Sequence, residues 1–306
     1  MLLDLLVLLN CLRSKFFEFS HKKVDTTLNI VTHANRITHD LGGFAGRDGG
    51  GDMFLVEGDA VLVTGSGLSE VRDGGYSEYA RIEAKWAIPL PAGLSLRESM
   101  ILGTAGFTAA LALLRMQDNR QTPAQGPLAV TGATGGVGSL AVDIFSRAGY
   151  EVHAISGKPE HADYLKGIGA SEVLGREVLA EAKPLEAARF GGGLDNVGGP
   201  MLASLLARTR PYGNVASAGL AASADLPTTL MPFIIRGVSL IGVASAGTAR
   251  DLRDEVWKRL ASEWKPAHLE TICTREIGLQ ALPEVFAGML AGGSFGRTLV
   301  RVGTGA

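Results

Sequence analysis

The run Thr131-Gly132-Ala133-Thr134-Gly135-Gly136-Val137-Gly138-Ser139 has the composition and spacing to hold a pyrophosphate. Glycine lets the chain turn tightly and brings backbone N–H groups close to an anion. A helix that starts in such a turn adds unpaired donors and the positive end of its dipole. The setting makes the motif specific, because it follows the apolar stretch Leu128–Thr131 and opens the amphipathic stretch Val137–Ala148. An ordinary glycine-rich strand-to-helix turn is the alternative, and strand, helix and four glycines together favour phosphate binding. A β-branched side chain at Gly135 is expected to fill space that the pyrophosphate needs and to strain the backbone.

Eighteen residues after Gly138, a second apolar stretch ends in Ser156-Gly157-Lys158. An NAD site places a carboxylate here, to accept from the ribose 2′-hydroxyl. This chain offers a hydroxyl and an ammonium instead, which suit a 2′-phosphate. The first acid, Glu160, comes after Pro159 at the start of the next helix. The residues therefore point to NADP(H), against the alternative of a solvated surface lysine at 158.

The elements that must position these groups alternate. Leu128–Thr131, Glu151–Ser156, Glu172–Leu174, Leu194–Val197, Asn214–Ala218 and Val238–Val243 read as strands. Leu96–Met116, Val137–Ala148, His161–Gly167, Met201–Thr209 and Arg250–Glu263 read as helices. Alternation of this kind predicts a parallel, doubly wound Rossmann sheet, placed between Ile101 and Ser245. Before it, Ala60–Thr64, the Gly74-Gly75 turn and the alternating Tyr76–Ile82 read as a small β-rich unit. After it come a helix at Leu282–Leu290 and a closing strand at Arg297–Val302, which is free to return to the β-rich unit.

Composition narrows the function classes. A chain of 306 residues predicts two domains. A net charge of −2 without a basic block argues against a nucleic-acid partner. The apolar run Met1–Leu9 is shorter than the ~20 residues needed to cross a bilayer and lacks signal-peptide flanks. Two cysteines, Cys11 and Cys273, make neither a disulfide framework nor a four-cysteine zinc site. A cytoplasmic protein without a membrane partner is expected.

Several segments together resemble a known family. They are Gly103–Ala109, Val130–Gly138, Ser156-Gly157-Lys158, Tyr164-Leu165-Lys166, Leu226–Thr229, Met231–Ile234 and Gly296–Val300. From about Val56 to Val302 the chain is similar to the zinc-independent medium-chain dehydrogenase/reductases, in the acryloyl-CoA reductase branch whose members often carry quinone oxidoreductase names. The resemblance implies an α/β fold in which a Rossmann sheet is inserted in a GroES-like β-rich domain. Residues 1–97 with 264–306 would form the GroES-like part and 98–263 the NADP-binding part. It implies cofactor contacts from Thr134, Gly135, Gly136, Val137, Ser156, Gly157 and Lys158, joined by Arg176, Leu220, Ile234 and Ser245. Thr104 is the candidate for positioning the nicotinamide or the substrate carbonyl, with a helix N-cap as its alternative role.

The implied reaction is NADPH-dependent reduction of the C=C bond of a short 2-enoyl thioester such as acryloyl-CoA. Quinone reduction is one alternative, and a catalytically weak NADPH-binding protein is another. The small-molecule partner would be an acyl-CoA or a quinone, and a homodimer is left open. No metal is expected, because the zinc members need a Cys and a His in the first domain and a cysteine-rich lobe. Cys11 lies outside the matching region, and His21, His33, His39, His153, His161 and His268 show no metal-ligand spacing with a cysteine. Residues 1 to about 55 depart from the family. They lack its Ser-Leu-Asn-Tyr-Lys-Asp motif, and within Gly42–Gly51 only Phe44-Ala45-Gly46 echoes a family segment. A frameshift or misplaced start in the gene model would produce such an abrupt break, and translating the genomic DNA in all frames tests that hypothesis. Ala244 also stands where the family has an aspartate.

Overall fold

A parallel sheet needs strands that are apolar on both faces, and Leu128–Thr131 (β4), Val152–Ile155 (β5) and Phe190–Asp195 (β7) are buried throughout. The computed structural model describes residues 35–36, 55–56, 58–180 and 183–302. Six strands lie in the order β6-β5-β4-β7-β8-β9, with Glu172–Leu174 as β6, Thr209–Ser217 as β8 and Ser239–Gly242 as β9. Every neighbouring pair is parallel, so the carboxyl ends of all six open on one edge. This is the Rossmann order, and the expected α/β fold class is found.

Helices cover both faces. On one lie α1 (Leu96–Asp118), α2 (Gly136–Arg147), α3 (Ala162–Gly167), α6 (Arg250–Leu260) and α7 (Leu269–Ile272), sharing a core with β4 and β5. On the other, α4 (Gly199–Ala207) and α5 (Met231–Arg236) pack around Ala129, Ile155, Phe190 and Val215. Helix α1 starts at a capping box, with Ser95 and Glu98 each accepting the other's backbone N–H. It breaks at Gly103, whose φ of 49° and ψ of −151° are open to glycine and strained for other residues. Among the described residues α1 alone is long and apolar enough to cross a membrane, yet 83% of that apolar window is buried inside the protein.

The remaining strands come from both ends of the chain. Asn35–Arg36 (β1), Ala60–Leu62 (β2) and Ile88–Pro89 (β3) form an antiparallel sheet. Cys273–Gly278 (β10) pairs in parallel with Arg297–Arg301 (β11), and helix α8 (Leu282–Leu290) connects them. The closing strand thus stays out of the six-stranded sheet.

Three expectations are corrected. Tyr76–Ile82 forms no strand: Tyr79 is well exposed, Ser77 Oγ donates to the Tyr79 carbonyl, and only Ala80 and Ile82 pack against the small Val61–Ala87 cluster. The strand expected at Leu194–Val197 runs instead from Phe190 to Asp195, through three glycines. A Cβ at Gly191 would lie 2.6 Å from the Gly126 carbonyl and one at Gly193 2.5 Å from the Ala129 carbonyl, so the close packing selects glycine. Thr209, expected to end a helix, begins β8 instead, and Tyr212 at φ 62° accompanies a register shift against β7.

Candidate cofactor site

The phosphate turn is built on a polar joint beneath it. Thr131, at the end of β4, donates from Oγ1 to Asp195 Oδ1 at 2.7 Å. The same hydroxyl accepts from Asn196 N, while Asn196 Nδ2 donates to the Thr131 carbonyl. Asp195 Oδ2 takes the N–H groups of Gly198 at 2.7 Å and Val197 at 3.3 Å. Burial pushes the Asp195 carboxyl above its usual range, and these donors oppose it. Sequence reading passed over Asp195 and Asn196. Their signal was a polar pair closing an apolar strand, at the point where strand order reverses.

Above that joint Gly132 turns the chain at φ 60°, Gly135 is extended at the N-cap, and α2 starts at Gly136. Gly135 is not the tightest position, because its φ of −75° suits any residue and an added Cβ would meet only the Gly132 carbonyl, at 3.3 Å. Gly138 is tighter. A methyl there would overlap the Gly132 carbonyl and come within 2.7 Å of Ala133 Cα. The backbone strain expected at Gly135 is not found, and the tight contacts of the turn fall on Gly138.

At the end of β5, Ser156 Oγ accepts from Lys158 N at 3.0 Å. The Arg176 guanidinium, following β6, lies against Gly157, where a Cβ would collide with it. Lys158 and Arg176 therefore flank one spot, and their likeness of charge calls for an anion. Burial holds the Lys158 ammonium below its ordinary range, Glu160 opposes this, and Arg176 adds to it. Lys158 Nζ donates to the Ser294 carbonyl. The next residue, Phe295, stacks on His161 at 3.9 Å between ring centres and meets Tyr164 edge-on. Burial pushes the Tyr164 hydroxyl up to about 12.

The chain's tail also reaches the turn. Gly296 N donates to the Thr134 carbonyl at 2.8 Å, and Arg297 Nε donates to the Ile101 carbonyl at 2.9 Å. A Cβ at Gly136 would lie 3.1 Å from one terminal nitrogen of Arg297, and a Cβ at Gly103 would lie 3.0 Å from the other. The guanidinium is thus wedged between the break in α1 and the amino end of α2. Sequence analysis gave Arg297 no place in the site, since it stood in a closing strand and in the Gly296–Val300 segment of the resemblance without a role.

Of the other expected residues, Thr104 is half-buried and begins the second segment of α1, and its carbonyl accepts from Thr108. Leu220 borders a cavity of about 390 Å³ with Ser217, Ala218, Leu226 and Val243. Ser245 is buried just beyond β9. Ile234 is apart, three-quarters exposed on the solvent face of α5. A larger cleft of about 950 Å³ between Tyr76–Tyr79 and Glu276–Gln280 opens beside Arg301, at the opposite end of β11 from Arg297. The topology therefore gathers 134–137, 156–158, 176, 220 and 245 at the carboxyl edge of one sheet, where open α/β folds bind ligands. Two cations beside Ser156 and Gly157 fit the 2′-phosphate of NADP(H).

Residues 136–262 match the family model described as zinc-binding dehydrogenase. Among the described residues no three His, Cys, Asp or Glu side chains converge to hold a metal, and Cys273 is half-buried. Cys11, His21, His33 and His39 lie outside the described residues, as does nearly all of the atypical segment 1–55. The chain is 45% identical over 253 residues to a Bacillus subtilis relative named quinone oxidoreductase YhfP, covering 82% of this chain and 77% of that one. It is 42% identical over 262 residues to acrylyl-CoA reductase AcuI of Ruegeria pomeroyi, covering 85% and 79%. The crystal structure of Escherichia coli K-12 YhdH with bound NADPH superposes with a TM-score of 0.78 at 42% identity, covering 81% of this chain and 77% of that one. With these relatives, this turn and this strand order, the chain belongs to the medium-chain dehydrogenase/reductase superfamily of oxidoreductases, in the branch that holds YhfP and AcuI.

Proposed function

We propose that this protein is an NADPH-dependent reductase of the C=C bond of short 2-enoyl thioesters such as acryloyl-CoA. The observation that carries the cofactor half is the pair Lys158 and Arg176 around Gly157, at the strand end where an NAD site would place a carboxylate. The substrate half is supported by identity to AcuI of Ruegeria pomeroyi. Bound NADPH supplies a hydride. Thr134, Gly135, Gly136 and Val137 would hold its pyrophosphate at the amino end of α2, with Arg297 as the neighbouring cation. Ser156, Gly157, Lys158 and Arg176 would hold the 2′-phosphate. Leu220 and Ser245 would line the path toward the nicotinamide, and the place of Ile234 on it rests on the resemblance.

Reduction of a conjugated thioester builds negative charge on the thioester oxygen, so the site must present a donor there. Thr104 follows the break in α1 at Gly103, which the Arg297 guanidinium approaches, and is the candidate. A proton reaches the α-carbon from a side chain or water. These groups would act between the cofactor-binding part, 98–263, and a part made from both chain ends.

The test is steady-state NADPH oxidation with acryloyl-CoA set against a simple quinone. Faster turnover of acryloyl-CoA is expected. Preference for the quinone would favour the activity named for YhfP. NADPH binding without turnover of either would make the protein a cofactor binder.

A further inference from the structure

Arg253, on α6, is 5% exposed, and among the described residues it has no carboxylate within ion-pair distance. Its charge is met by carbonyls instead. Nη1 donates to the Thr64 carbonyl at 2.7 Å and to Thr64 Oγ1 at 3.1 Å. Nη2 donates to the carbonyls of Ser245 at 3.0 Å and Ala246 at 3.1 Å. The guanidinium also lies 4.8 Å from the ring centre of Phe107, one turn beyond the break in α1. Ser66 N donates to Ala246 O, and a Cβ at Gly65 would lie 2.8 Å from that oxygen, so the two loops are in direct contact.

A buried cation is costly unless hydrogen bonds replace its water. Here these bonds all go to one of two loops: the exit of β2, and the exit of β9 that carries Ser245. Removing the guanidinium would leave the Thr64 carbonyl without its donor, reduce the Ser245 and Ala246 carbonyls to their bonds from Thr248 and Ser66, and take from the loop 243–247 its link to Phe107 of α1.

We propose that Arg253 is a positioning residue for the nicotinamide half of the cofactor site, clasping the Ser245–Ala246 backbone to the Thr64 loop and to α1. The inference rests on the reading that Ser245 lies on the nicotinamide side, while the 2′-phosphate is held at Lys158.

The test compares two ligands by titration calorimetry. NADPH spans the whole site, whereas 2′,5′-ADP fills the adenosine half alone. For Arg253→Met, the Kd of 2′,5′-ADP is expected to stay within about twofold of wild type, while that of NADPH rises roughly 10- to 100-fold, the scale of losing hydrogen bonds to a charged group. Added methylguanidinium should restore NADPH binding in Arg253→Ala, which a general loss of folding would not allow. If Arg253→Met fails to unfold cooperatively, Arg253→Lys carries the same comparison, with a smaller rise for NADPH. Equal loss for both ligands, or loss for neither, would overturn the proposal. Wild-type protein that binds NADPH no more tightly than NADH, and ignores 2′,5′-ADP, would overturn the reading of the 2′-phosphate site instead.

Discussion

Lys158 was legible as a cofactor residue because of what its strand end lacks. The absence of a carboxylate there is a statement about charge, and charge can be read from a sequence. Arg176 was named only through the family resemblance, and the fold supplies its physical reason, since β6 lies beside β5 and lays the guanidinium over Gly157. The contact of Arg297 with the turn could not be read, since it arrives from more than 150 residues away in the chain. Lys158→Glu sets a like charge against the 2′-phosphate. It should weaken NADPH binding by about 1.5–3 kcal/mol, the range for hydrogen bonds to charged groups, and leave NADH nearly unchanged. Fluorescence titration with both cofactors checks this, and equal losses would show that Lys158 is not at the ribose. The partly buried ammonium already bonds to the Ser294 carbonyl, so the measured loss includes that contact.

At the scale of elements, the long periodic helices and the buried strands of the six-stranded sheet were legible, because burial on both faces leaves a continuous apolar run. β7 was read too short for a packing reason: its glycines are set by the neighbouring carbonyls, and a sequence does not display those neighbours. Tyr76–Ile82 failed in the other direction, because alternation makes a strand only when one face is covered. The phosphate turn was found, but its tightest residue was not. Gly138 packs the start of α2 onto the turn, whereas Gly135 faces outward with ordinary backbone angles. Gly138→Val should therefore destabilise the protein by more than the ~1–3 kcal/mol typical of overpacked cores, because backbone atoms must move. Gly135→Ala should leave the urea midpoint within error and weaken both cofactors. A midpoint equally lowered in the two variants would refute this division between packing and binding.

The whole molecule is a six-stranded sheet whose cofactor edge is completed by the tail, with small sheets contributed by both chain ends. Because the described residues gather no metal-ligand set, activity should be insensitive to chelators, and elemental analysis should find no stoichiometric zinc. Activity lost to a chelator and restored by zinc would undo the enoyl-reductase reading. The far edge of the sheet leads to a different expectation. Strand β9 pairs with β8 on one side only among the described strands, and an open strand edge invites pairing with another chain. Around it Leu230, Ile235, Leu240 and Tyr212 are exposed, from 36% at Leu240 to 76% at Tyr212. Apolar surface of this kind beside an unpaired edge fits a second copy of the same chain, whose β9 could continue the sheet. Light scattering at micromolar concentration should therefore give a mass near twice 32.0 kDa. Ile235→Glu combined with Tyr212→Lys should shift it to the monomer. The affinity for NADPH should survive that change, because neither Tyr212 nor Ile235 lines the Leu220 cavity or the Ser156–Lys158 strand end. A wild-type mass of one chain would sink the prediction, and a dimer untouched by the double variant would place the interface elsewhere.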